Sequence, residues 1–147
     1  MGTFGTGPFD SDGALDVLDW LADLRTGQRR EVLERMFFVV RNEPWQLERT
    51  VFPDEVVAAA AVVAASLTGS ASIKQQLAEK GYDADAISVT EADKDLAAAA
   101  LEALVRTAGR DGPWLQRWTS RDDAVRARQT TDQVAAILVR GRRAQDR

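Results

Sequence analysis

The sequence predicts an all-α fold: a single compact domain of about five helices around a central helix rich in alanine and valine. Three observations carry this prediction. No stretch alternates polar and apolar residues with the period of two that a half-buried strand shows, whereas apolar residues recur at three- and four-residue steps in several segments. Residues 56–67 are almost entirely apolar, with no polar face, as a helix surrounded by its neighbours must be. Glycine and proline punctuate the chain between the periodic segments, at Gly27, Pro44, Gly69, Gly109 and Gly112-Pro113. At 147 residues the chain matches one domain, which typically takes about 100–200. The domain is expected over 1–140, opening with a plug of glycine and aromatic residues and followed by a frayed basic tail at 141–147.

The elements follow in order. Gly2, Gly5 and Gly7 allow the N-terminal peptide to turn back, so that Phe4 and Phe9 plug the core against Trp20 and the alanine-rich helix. Asp10, Ser11 and Asp12 are all suited to cap a helix that runs to about Arg25 and stops at Gly27. On a wheel of about 100° per residue, Asp12, Asp16, Asp19 and Asp23 fall within about 60°. Leu15, Val17, Leu18, Trp20, Leu21 and Leu24 take the rest of the circumference, so this helix is expected to bury most of its surface and show water one acidic ridge. A second helix fits Gln28 to Arg41, where Val32, Leu33, Met36, Phe37 and Val40 recur at helical spacing. Pro44 ends it, because proline has no amide donor and disfavours helix in the residue before it.

Residues 45–51 then connect to the central helix. This begins at Pro53, a good first-turn residue, with Asp54 and Glu55 at the positive end of the helix dipole. A short helix is admissible from Ser70 to Lys80, and Gly81 to Ser88 reads as a loop. Thr90 is the expected cap of the next helix, with Asp93 in the capping-box place, ending near Thr107. After a short aromatic segment with Trp114, Leu115 and Trp118, Ser120 caps a last helix that reaches about Arg140.

Composition closes several chemistries. There is no histidine and no cysteine. A structural zinc site, a Ser-His-Asp or Cys-His nucleophile and a histidine general base are therefore all excluded. No metal site is expected beyond weak Mg or Ca binding through carboxylates, and no cofactor. The N-terminus does not read as a secretory signal, and the longest apolar run, about ten residues, falls short of the about 20 that span a membrane. The chain is read as cytoplasmic, with no membrane partner. Net charge is −4, unevenly spread: residues 1–24 hold five acids and no base, while ten arginines face six acids from Leu96 onward. The bases are scattered and the overall charge repels phosphate, so no nucleic acid is expected.

Three constellations stand out, each with an ordinary reading beside the functional one. The N-terminal glycines resemble a phosphate loop only superficially, because Pro8 and Phe9 stand where the Walker pattern needs Lys and Ser or Thr. The ridge of Asp12, Asp16, Asp19 and Asp23 is a solvated face, a face paired with arginines of the last helix, or a site for a basic protein partner. Trp20 and Trp45 read as core or groove lining. Trp114 and Trp118, with Arg117 and Arg121, read as core, contact surface or pocket lining, since Trp and Arg are common interface anchors. The arginines from Arg121 to Arg128 read as a solvated helix face.

The run Gly2-x-Phe4-Gly5-x-Gly7-x-Phe9-x-Ser11-Asp12-x-Ala14-x-Asp16 resembles the opening signature of the bacterial domain of unknown function 4259 family, with Phe4 where tryptophan is usual. The alanine-rich helix and the segment around Trp114 fit as well. The resemblance implies a small soluble bacterial protein and assigns no catalytic residue. With most enzyme chemistries closed, the leading reading is a protein-binding module, antidote- or immunity-like, whose acidic ridge covers a basic partner. The alternative is a small-molecule binder, or an enzyme using carboxylates and arginines in a Trp- and Arg-lined pocket. A deep cavity lined by Trp and Arg favours the alternative, and a flat acidic ridge without a cavity favours the first reading. The sequence leaves the oligomeric state open.

Overall fold

A computed structural model describes residues 5–89, 92–109, 112–116, 118 and 120–143. The described residues form an all-α fold without strands. In chain order the elements are α1 (Asp12–Asp23), α2 (Thr26–Asn42), a 3-10 turn (Pro44–Gln46), α3 (Pro53–Ala65), α4 (Ala71–Glu79), α5 (Ala84–Ile87), α6 (Lys94–Ala108), α7 (Pro113–Gln116) and α8 (Arg121–Arg143).

The centre is α3, with eleven of its thirteen residues buried. Its alanines let neighbouring backbones come close, and α1, α6 and α8 pack around it. A second hub, α6, packs against α2, α3 and α8 through Leu96, Ala97, Ala100, Leu101 and Leu104. No helix among the described residues is long and apolar enough to cross a membrane.

Several boundaries differ from expectation for identifiable reasons. Gly27 does not stop α1. The helix ends at Asp23, and Gly27 lies in the first turn of α2, with the Gln28 side chain accepting from the Arg25 amide. The chain at 81–88 is not all loop: Asp83 accepts from the Asp85 amide and starts the single turn of α5, which buries Ile87. Asp93, rather than Thr90, caps α6, accepting from the Leu96 amide at 3.0 Å; Thr90 itself lies outside the described residues. The last helix continues to Arg143 instead of fraying at 141. Gly141 packs against Leu67 and Ala97, where a Cβ would stand 2.6 Å from the tip of the Leu67 side chain. Residues 144–147 lie outside the described residues.

Trp20 and Trp45 are not core. Trp45, 58% exposed, rides on the 3-10 turn, a one-turn element crossing the surface with no buried residue. Trp20, 48% exposed, stands beside the acidic ridge on α1, because Ala14, Val17, Leu18 and Leu21 already fill the face turned to α3. Phe9 is buried, at 1% exposure, whereas Trp20 is about half exposed and is not part of the core. Phe4 lies outside the described residues.

Candidate functional site

The N-terminal segment explains how α1 is held. The Gly7 amide donates to Asp10 Oδ2 at 2.9 Å, and Asp10 Oδ1 pairs with Lys80 Nζ at 2.7 Å, which fixes the turn that drives Phe9 into the core. Ser11 Oγ accepts from the Ala14 amide at 3.0 Å, the side-chain cap that an exposed first turn needs. The same hydroxyl donates to Asp54 Oδ2 at 2.7 Å. This locks the start of α1 to the start of α3. Gly13 lies so close to Asp54 that a Cβ would collide with the carboxylate.

The other end of α1 is held by a residue that the sequence pattern hid. Arg29 is 8% exposed, and its Nε donates to Leu21 O at 2.8 Å and its guanidinium to Ser88 O at 3.0 Å. A cation at the carbonyl end of a helix is favourable. It ties α1, α2 and the segment after α5 together.

With α1 fixed at both ends, its outer face presents Asp12, Asp16, Asp19 and Asp23, all exposed, as the wheel predicts. Among the described residues none of the four forms an ion pair; the arginines of α8 lie on a helix that packs against α6 and α3. Arg126 there pairs with Asp123 on its own helix at 3.8 Å. The fold adds negative charge beside the ridge: Glu55 is pushed up from the usual carboxylate range, first by burial and then by the neighbouring Asp54 and Asp16, although the Phe52 amide it accepts from works the other way. Asp19 accepts from the Tyr82 hydroxyl, and that bond, with burial and the charge of Asp16, pushes the phenol up to about 12. Trp20 stands at the margin of this field, one turn from Asp16 and Asp23.

No group of three or more carboxylates among the described residues is placed to hold a metal ion. What the face offers is a set of exposed, like-charged carboxylates and one large exposed aromatic.

The second candidate set is partly assembled. Trp114 is buried, and its ring meets that of Trp118 edge-to-face with centroids 5.6 Å apart. The two rings pack on each other and on the core although Trp118 lies beyond α7. Arg121 is exposed at the start of α8, and Arg117 lies outside the described residues. A crevice of about 380 Å³ lies elsewhere, between α2 and α6, lined by Arg30, Glu34, Phe38, Arg41, Asp95 and Glu102 among others. Its charged walls are cross-linked, Arg30 to Glu34 and Arg41 to Glu102 at 3.3 Å, and Arg30 also reaches Asp93 outside the crevice at 3.2 Å. Helical spacing places these residues on their helices, but which helices meet is a tertiary fact that spacing does not carry.

The model of a family described as a domain of unknown function, DUF4259, matches residues 2–130. Neither a curated protein nor a solved structure matches the chain.

Proposed function

The chain belongs to the DUF4259 family, and from that premise we propose that it is a protein-binding module, antidote- or immunity-like, that covers a basic partner protein with the acidic face of α1. The observation that carries this reading is Trp20, 48% exposed beside four exposed aspartates that have no basic partner among the described residues. Tryptophans are over-represented among the few residues that dominate binding energy. Like-charged carboxylates around it steer a basic partner and repel an acidic one. The alternative reading, a small-molecule pocket around Trp114 and Trp118, has less support, because Trp114 is buried and the two rings fill each other's space.

The reading is tested by capture from cells that make the protein, at low and high salt, with the wild-type chain, with Asp16→Asn/Asp23→Asn and with Trp20→Ala. It expects a basic protein retained at low salt by the wild type and lost in both variants while thermal stability is kept. Equal capture by all three chains would contradict it.

A further inference from the structure

The fold gathers positive charge where the end of α3, the start of α6 and the end of α8 meet. A crevice of about 630 Å³ opens there, lined by Leu67, Thr68, Ala92, Lys94, Arg140 and Arg143 among others. The end of α8 is set down on it by Gly141, which packs against Leu67 and Ala97. Arg140 and Arg143, three apart in the chain, share one side of that helix. Gly69, at φ +81°, turns the chain after α3, and Arg140 reaches across it: a Cβ on Gly69 would stand 3.6 Å from a guanidinium nitrogen.

The charge of this crevice is one-sided. Its acid, Asp93, is committed elsewhere, accepting from the Leu96 amide at 3.0 Å and pairing with Arg30 at 3.2 Å. Neither Arg140 nor Arg143 has an acidic partner among the described residues. The carbonyl end of α8 favours nearby cations, but that does not account for Lys94, which stands at the positive end of α6, where a cation is disfavoured. Three cations facing one crevice repel one another, and an anion seated among them relieves the repulsion. The walls select its chemistry. Guanidinium groups match phosphate oxygens in a bidentate fork, and three positive charges suit a dianion better than a carboxylate. The volume exceeds what a bare phosphate fills, and Leu67 and Ala92 offer an apolar wall to the remainder.

We propose that this crevice binds a small organic phosphate, its phosphoryl oxygens on Arg140 and Arg143 and its apolar part against Leu67 and Ala92. No residue of α1 lines the crevice, so the proposal is independent of the α1 reading.

NMR titration of the full chain at constant ionic strength tests it, with phenyl phosphate, inorganic phosphate and sodium chloride as probes. Phenyl phosphate should give saturable shifts in the amides of 66–69 and 140–143. Inorganic phosphate should shift the same amides with an affinity about tenfold weaker, since it lacks the apolar part. Chloride should give no saturable shift there. Arg140→Gln/Arg143→Gln should weaken phenyl phosphate binding by about tenfold or more, through the loss of charge-assisted bonds. Arg143→Gln alone should also weaken it, so the test survives if the double variant unsettles the end of α8. Arg121→Gln/Arg128→Gln removes the same charge from the same helix away from the crevice and should leave binding unchanged. No saturable shift at these amides, equal binding by the wild type and both crevice variants, or the same loss in the Arg121→Gln/Arg128→Gln chain would overturn the proposal. Inorganic phosphate binding as tightly as phenyl phosphate would overturn its organic part.

Discussion

Ser11 and Asp54 share one hydrogen bond, 2.7 Å from Oγ to Oδ2, made by a hydroxyl that also caps α1 through the Ala14 amide. A single side chain therefore sets both where α1 begins and how it lies on α3. Ser11→Ala removes both bonds and leaves a partly buried carboxylate short of a donor. It should cost about 1–2 kcal/mol in chemical denaturation. Gly13→Ala should destabilise despite the better helix propensity of alanine, because its Cβ collides with the Asp54 carboxylate. The double variant should cost less than the sum, since both changes disturb the same bond.

Phe9 is the buried plug of the N-terminal segment. Phe9→Ala should lower stability by about 3–5 kcal/mol. A thermal melt with no measurable shift would show that the glycine-rich segment is not built to hold this ring.

Asp93 should make stability fall at low pH. The Leu96 amide that it caps, and after it Arg30, hold its carboxyl below the usual range, against a smaller opposing push from burial. Its native proton affinity is lower than that of the unfolded chain. The resulting stability is present above the ordinary carboxylate pKa and is lost as pH falls through the lowered native value. Asp93→Asn keeps a capping oxygen and loses the charge. It should lose about 0.5 kcal/mol at neutral pH, as expected for a partly exposed pair, and show a shallower acid limb in a denaturation series.

Asp16 acts in the opposite sense. It adds to the push on Glu55, whose native carboxyl is raised, so the ionised form costs stability as pH rises from the ordinary carboxylate value through the raised one. Asp16→Asn should bring the Glu55 titration down, as read by carbon-detected NMR, and raise neutral-pH stability by a few tenths of a kcal/mol. Asp19→Asn should not mirror it, because Asp19 accepts from Tyr82. If Asp16→Asn instead destabilised by more than about 1 kcal/mol, the ridge would be an internally paired surface and the partner reading would lose its electrostatic ground.

The all-α class, the buried α3, a helix start within Asp10–Asp12 and the exposed ridge on α1 were legible in the sequence, because each rests on local periodicity or cap chemistry within one segment; that Ser11 is the cap among the three was not. Trp20 was not. Its wheel position borders both the apolar and the acidic sectors, and only the packing of Ala14, Val17, Leu18 and Leu21 on α3 shows that no room is left for it inside. Arg29 was hidden for the opposite reason: an arginine among charged neighbours reads as solvated, whereas its carbonyl acceptors come from Leu21 and Ser88, one of them far along the chain. Gly27 misled because glycine signals a helix end only when the chain has not already turned, and here Leu24 and Arg25, in extended conformation, had turned it first. Asp93 was placed three residues into a capping box that began at Thr90, when it was itself the cap.

The central claim is that Trp20 and the aspartates beside it contact a partner, and photo-crosslinking from that position tests it most directly. With a benzoylphenylalanine in place of Trp20, irradiated in cells that make the protein, the account predicts a discrete adduct with a basic protein, abolished when Asp16 and Asp23 are changed to asparagine. The same probe at Ala78, exposed on α4, should give no such adduct. No adduct from position 20, or the same adduct from position 78, would contradict the claim.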